Sequence, residues 1–231
     1  MAPTSIPICE IYPAVQGEGL HKTPAIFVRV WGCNLRCGWN QRDDGKTQCD
    51  TPYAVFEGTK TLLDIEEIIW QIQKSGITHV VFTGGEPTLF QYALLKMMEK
   101  LSGYFIEIET NGTIIINPDL ARRVDQFNIS PKLKSSSQWS GYDSKRINRE
   151  ALNTFPPRKS LFKFVISSEA DILEINEITQ NSSIPIYLMP QGETRAQIIK
   201  NMPLVLDLCL KYGYGFTNRD QIMAYGKKRG V

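Results

Sequence analysis

Apolar positions along the chain follow two periods. Ile65, Ile68, Ile69 and Ile72 recur at three- and four-residue steps, which is one face of a helix, and predict a helix over 62–75 with Asp64 near its start and Gly76 past its end. Elsewhere the apolar runs are short. Residues 6–15 and 25–31 read as strands, as do 78–83, 104–109, 126–129, 161–166 and 184–188. A second helix, carrying Leu94, Leu95, Met98 and Leu101, follows the turn Gly84-Gly85-Glu86-Pro87, and a third begins near Ser168. Residues 194–212 are helical in pattern but contain Pro203, which predicts two helices or one kinked helix.

Strands alternating with helices imply parallel pairing through right-handed crossovers. Six such units make an incomplete parallel (β/α)6 barrel, short of the closed eight-fold form, in a single domain over 1–231 with an extended loop at 33–60. In parallel β/α architectures the loops after the C-terminal strand ends hold the site. Gly84-Gly85-Glu86, Glu109-Thr110-Asn111, Ser130-Pro131-Lys132 and Met189-Pro190-Gln191 all follow strands, so the fold should gather them beside the loop after 25–31. That loop carries Cys33, Cys37 and Cys49 in the spacing Cys-x3-Cys-x11-Cys. Thiolates clustered on one loop suit a soft metal, and three leave a four-coordinate site or a four-iron cluster one protein ligand short.

Composition narrows the partners. Lys+Arg 26 against Asp+Glu 24 gives no large field for nucleic acid or a membrane surface, which favours a small-molecule substrate. The first residues lack a basic segment followed by an apolar one, and no later run approaches a membrane span, so a cytoplasmic protein is expected. An odd count of 5 cysteines argues for metal or redox chemistry over a disulfide framework. The cysteine loop alone permits unrelated buried thiols, a zinc site or an iron–sulfur cluster, and ligand number favours the last. Cys9 and Cys209 read as small core residues. His79 sits inside a strand, so a closed Cys3His zinc site has little support. Arg29, within Ile26, Phe27, Val28 and Val30, is either a solvated strand residue or a guanidinium aimed at a substrate carboxylate. The Gly84-Gly85-Glu86-Pro87 turn is either a tight strand-to-helix connection or a place where a ligand meets the backbone, with Glu86 offering its carboxylate to an ammonium group; the proline after it argues against a mere cap. Ser135 to Ser140 reads as a surface loop able to act as a lid.

Gly32-Cys33-Asn34-Leu35-Arg36-Cys37 with Gly84-Gly85-Glu86-Pro87 resembles the radical S-adenosylmethionine enzymes. Gln16-Gly17-Glu18-Gly19, Phe27-Val28-Arg29, Cys49-Asp50-Thr51, Glu109-Thr110-Asn111-Gly112-Thr113, Ser130-Pro131-Lys132 and the tail Tyr225-Gly226-Lys227-Lys228-Arg229-Gly230-Val231 narrow the resemblance to the 7-carboxy-7-deazaguanine synthase family of the queuosine pathway. The resemblance implies a radical SAM type of barrel in which Cys33, Cys37 and Cys49 hold a [4Fe–4S] cluster, with S-adenosylmethionine on the fourth iron. Reductive cleavage of that cofactor would start conversion of 6-carboxy-5,6,7,8-tetrahydropterin to 7-carboxy-7-deazaguanine with loss of ammonia.

Carried over position by position, the resemblance implies cofactor contacts at Gln48, Asp50, Gly85, Glu86, Ser130, Pro131, Lys132, Met189, Pro190, Gln191 and Gly192. It implies substrate contacts at Val15, Gln16, Gly17, Arg29 and Thr83, and Mg²⁺ at Thr51. It also implies a homodimer and a low-potential donor such as a flavodoxin or ferredoxin. Most relatives carry Cys-x3-Cys-x2-Cys, which would place the third cysteine at position 40, where this chain has Asn40. Residues 40–48, with Asp43-Asp44-Gly45 as their turn, therefore read as an insertion that moves the third ligand to Cys49. The competing readings are a glycyl-radical activating enzyme and a non-catalytic iron–sulfur or zinc module.

Overall fold

The computed structural model describes residues 4–41, 47–56, 59–136 and 143–231. The chain opens with β1 (Ser5–Val15) and β2 (Pro24–Val30), then the short strands β3 (Asn40–Gln41) and β4 (Thr47–Gln48). Next come β5 (Thr61–Asp64), α1 (Ile65–Lys74), β6 (His79–Gly84), α2 (Gln91–Lys100), β7 (Phe105–Thr110), α3 (Pro118–Arg123) and β8 (Gln126–Ile129). After α4 (Asp143–Arg146) and α5 (Arg149–Leu152) follow β9 (Ser160–Ile166), α6 (Asp171–Thr179), β10 (Ile186–Pro190), α7 (Arg195–Tyr212), β11 (Gly215–Phe216) and α8 (Asp220–Tyr225).

Nine strands form one sheet in the order β5-β1-β2-β6-β7-β8-β9-β10-β11. From β2 to β11 every pairing is parallel, while β1 runs antiparallel to β2 and β5. The six expected parallel strands are thus present in the expected order, extended by β11 on one side and by β1 and β5 on the other. Alternation along each strand splits the sheet into two faces. Val28, Phe82, Ile108, Phe127, Phe164 and Leu188 point to the helices and join Ile68, Leu94, Leu120, Ile175 and Val205 in one apolar core. Each such burial contributes on the order of 1.5–3 kcal/mol. The opposite face carries Arg29, Thr83, Glu107, Glu109, Asn128 and Lys163.

Several expectations change. Residues 62–64 belong to β5, not to the helix, because they pair with Pro7, Ile6 and Ser5 of β1; α1 begins at Ile65. Residues 195–212 form one helix through Pro203, held at its start by a capping box between Thr194 and Gln197 and closed by the left-handed Gly213. Strand β10 runs on through Met189 and Pro190, which pair with Val165 and Ile166, so only Gln191 and Gly192 follow it. Cys209 is a core residue as expected, whereas Cys9 is not. The β1 register slips between Ile8, opposite Val30, and Glu10, opposite Arg29, leaving Cys9 as the extra residue of a β-bulge. Its thiol lies 3.7 Å from the Tyr53 carbonyl. The bulge also flips the strand's parity: Ile6 and Ile8 face the core before it, and Glu10 and Tyr12 share a face with Arg29 after it.

Candidate functional site

The C-terminal ends of the parallel strands open into a cavity of about 660 Å³. One end is lined by Cys33, Cys37 and Cys49, the floor by Thr83, Glu109, Asn128 and Lys163. The cysteine loop is built by close backbone approach. Gly85 N–H and Glu86 N–H donate to the carbonyls of Val30 and Gly32, at 3.1 and 2.8 Å. A Cβ on Gly85 would lie 1.9 Å from the Gly32 carbonyl oxygen, and Gly84 has φ +125°, so both glycines are required where the two loops touch.

The insertion is a hairpin. Asn40 pairs with Gln48 and Gln41 with Thr47, which returns the chain beside its point of departure and puts Cys49 next to Trp39. The Gln48 side chain, the Asp43-Asp44-Gly45 turn and residues 137–142 of the serine-rich segment lie outside the described residues. Burial, then the Glu86 carboxylate and Cys37, push the Cys33 thiol up to about 12. The Cys49 thiol is raised by its hydrogen bond with Cys37 and by burial. Backbone N–H groups already point at two sulfurs, Leu35 at Cys33 and Thr51 at Cys49, each 3.4 Å away. Among the described residues no three His, Cys, Asp or Glu groups converge on a single-ion site. Three cysteines lining one cavity suit a four-iron cluster, whose cysteines each ligate a different iron.

Glu86 is tied by its carboxylate to the turns around it. Its carboxylate accepts from Thr88 N–H and Oγ1 at 3.0 and 2.6 Å, from Thr110 Oγ1 at 2.7 Å and from Asn111 N–H at 2.7 Å. It is fully buried, caps the 3-10 turn Pro87–Phe90 and is not among the residues that line the cavity. His79, also buried, lies 3.1 Å from Glu107 and 3.0 Å from Thr23, away from the thiols.

Of the other residues singled out in sequence, Val15, Gln16, Gly17, Arg29, Asp50, Thr51, Thr83, Gly85, Ser130, Lys132 and Met189 line the cavity; Pro131, Pro190, Gln191 and Gly192 do not. Gln16 contributes shape more than a free amide. Its Oε1 accepts from Glu18 N–H at 3.0 Å, and its Nε2 donates to Glu107 and, at 3.3 Å, to Glu109. Gly17 is where α8 packs, since a Cβ there would meet the Gln221 side chain at 2.3 Å. Arg29 Nε donates to Glu10 at 2.9 Å and Nη2 to the Tyr12 hydroxyl at 2.7 Å. Thr51 Oγ1 lies 3.2 Å from Asp50 Oδ1.

Sequence reasoning missed a partly buried charge network. Lys163 pairs with Glu18 at 2.7 Å and approaches Glu109 at 3.8 Å. Arg219 spans from Asp50, 2.6 Å from Nη2, to Glu18, 3.6 Å from Nε, and donates from Nη1 to the Gly192 carbonyl at 3.2 Å. Burial opposes ionisation of both carboxylates, yet Lys163 and Arg219 beside Glu18, and Arg219 beside Asp50, bring each down to about 2. The signal was available. Glu107, Glu109 and Lys163 are charges inside apolar strands, as Arg29 is.

An open parallel sheet with a cysteine loop over its C-terminal edge is the framework of a radical SAM protein, and the family model of the Radical SAM superfamily matches residues 30–134. A 7-carboxy-7-deazaguanine synthase from Rhodopirellula baltica is 34% identical, covering 99% of this chain and 90% of the relative. One from Halobacterium salinarum is 32% identical over 93% and 88%. The chain belongs to the 7-carboxy-7-deazaguanine synthase family. The fold is also that of the crystal structure of QueE from Escherichia coli, with a TM-score of 0.67 at 24% identity over 94% of both chains. No helix among the described residues is long and apolar enough to cross a membrane.

Proposed function

We propose that Cys33, Cys37 and Cys49 hold a [4Fe–4S] cluster with S-adenosylmethionine at its fourth iron, and that the sheet-face floor of the same cavity holds 6-carboxy-5,6,7,8-tetrahydropterin for conversion to 7-carboxy-7-deazaguanine with loss of ammonia. The observation that carries this is one cavity lined both by the three thiols and by half-buried Arg29 and buried Lys163. The cluster and its cofactor supply one-electron cleavage chemistry when bound. Everything else is done by the chain. Arg29 keeps Nη1 free of the hydrogen bonds that hold Nε and Nη2, and can turn it to the substrate carboxylate. Glu109, fixed by Thr83 Oγ1 at 2.7 Å, offers acceptors to the amino groups of a pterin. Ser130, Lys132 and Met189 line the wall shared by cofactor and substrate, and Lys132 Nζ donates to Ser130 Oγ at 2.8 Å.

Thr51 gives a hydroxyl ligand to Mg²⁺, a hard cation suited to oxygen donors. A flavodoxin or ferredoxin supplies the electron, and the enzyme works in the cytoplasm as a homodimer; Leu173, 78% exposed, and Leu210, 87% exposed, offer apolar area for the second copy. Anaerobic reconstitution followed by assay of the carboxypterin with S-adenosylmethionine, Mg²⁺ and a low-potential reductant tests the reading. Product from the free pterin supports it. Cofactor cleavage without turnover of the pterin returns the case to an activase of a partner polypeptide, and no cleavage at all to a non-catalytic module.

A further inference from the structure

The turn after β7, Thr110-Asn111-Gly112-Thr113, reaches across to the cysteine loop through a closed ring of hydrogen bonds. Asn34 Nδ2 donates to Thr113 Oγ1 at 2.7 Å, Thr113 Oγ1 donates to Asn111 Oδ1 at 2.6 Å, and Asn111 Nδ2 donates to Asn34 Oδ1 at 2.9 Å. The Thr113 backbone N–H adds a second bond to Asn111 Oδ1 at 2.9 Å. Two donors on its oxygen fix which way the Asn111 amide faces. Its nitrogen has two hydrogens, one engaged by Asn34, and the Cys33 sulfur lies 3.8 Å away on the same side. Asn111 is buried, so little water competes for that second hydrogen.

We propose that Asn111 is a positioning residue for the cluster: its amide N–H donates to the Cys33 sulfur, orients that ligand and raises the cluster's reduction potential. This rests on the assignment of the cluster to Cys33, Cys37 and Cys49. Reduction adds negative charge that spreads onto the sulfur ligands, and an N–H dipole aimed at sulfur stabilises the reduced state more than the oxidised one. The ligands are not equivalent in this respect. Cys33 receives Leu35 N–H and the Asn111 amide, and Cys49 receives Thr51 N–H.

The test is an EPR-monitored redox titration of the reconstituted full chain without S-adenosylmethionine. Asn111→Leu removes the donor and keeps the branched shape. Thr113→Val breaks the same ring but keeps the backbone N–H that orients the amide. The expected result is a midpoint shifted to more negative potential in Asn111→Leu at native iron content, with Thr113→Val at the native value. An unchanged midpoint in Asn111→Leu, or an equal shift in Thr113→Val, overturns the proposal. Should Asn111→Leu not retain iron, Asn111→Ala, which removes the same donor with less bulk, takes its place in the titration: a more negative midpoint supports the bond and a native one overturns it. Native protein that takes up no four-iron cluster would instead overturn the cluster assignment itself.

Discussion

Replacing Arg219 with Met keeps the length of the side chain and removes the charge that joins the cysteine loop to the loop after β1. Arg219 is 11% exposed and its partner Asp50 27%. Lowering Asp50 from 3.8 to about 2 corresponds to roughly 2.4 kcal/mol at full value, and partial exposure reduces that to about 1–2 kcal/mol. Glu18 adds less, about 1 kcal/mol, because Lys163 sits nearer to it than Arg219 does. The sum, about 2–3 kcal/mol, predicts a melting temperature lower by about 4–12 °C for a chain of this size. Both carboxylates have lowered folded-state values, so their contribution is complete above about pH 5 and disappears as pH falls through about 2. Urea unfolding of the metal-free protein followed by circular dichroism should show a constant gap between native and Arg219→Met from pH 7 to about 5, clearly narrowed by pH 3. A gap below about 0.5 kcal/mol at pH 7, or one unchanged at pH 3, refutes the electrostatic account of this network.

One deletion and two substitutions probe the site further. Deleting residues 40–48 joins Trp39 to Cys49 where the hairpin pairing already brings the chain together, and should preserve iron content; loss of iron would show that the hairpin is part of the cluster scaffold. Arg29→Ala should impair pterin turnover at least tenfold while cofactor cleavage without substrate stays within about twofold, since the lost contact is worth roughly 1.5–3 kcal/mol; equal loss of both activities removes its assigned role. Gly85→Ala forces a Cβ against the Gly32 carbonyl and should destabilise the fold by about 1–3 kcal/mol and reduce iron uptake, read by thermal melting and iron analysis.

The parallel order of the sheet was legible because short β-branched runs alternated with helical spacing, and Val80, Ile106 and Phe127 are buried as that pattern requires. What escaped were tertiary decisions. Leu62 and Leu63 have helical neighbours in sequence, but the unpaired edge of β1 draws them into β5. Pro203 is tolerated because both ends of α7 are capped and Ile198, Val205 and Leu208 are buried along it. The bulge at Cys9 has no compositional mark, yet it puts Glu10 beside Arg29. Glu86 looked like a ligand group from its motif; only the positions of Thr88, Thr110 and Asn111 reveal that its carboxylate also ties the turn after β6 to the turn after β7. Arg219 and Asp50 are far apart in sequence, and no local rule predicts that they meet.

Iron analysis and EPR of Cys49→Ala, beside Cys9→Ala and Cys209→Ala, test the central claim most directly, because the whole site depends on Cys49 replacing the thiolate that position 40 lacks. After anaerobic reconstitution Cys49→Ala should show neither a four-iron signal nor formation of 7-carboxy-7-deazaguanine, while Cys9→Ala and Cys209→Ala assemble the cluster as the native chain does. An intact four-iron cluster in Cys49→Ala would contradict the account.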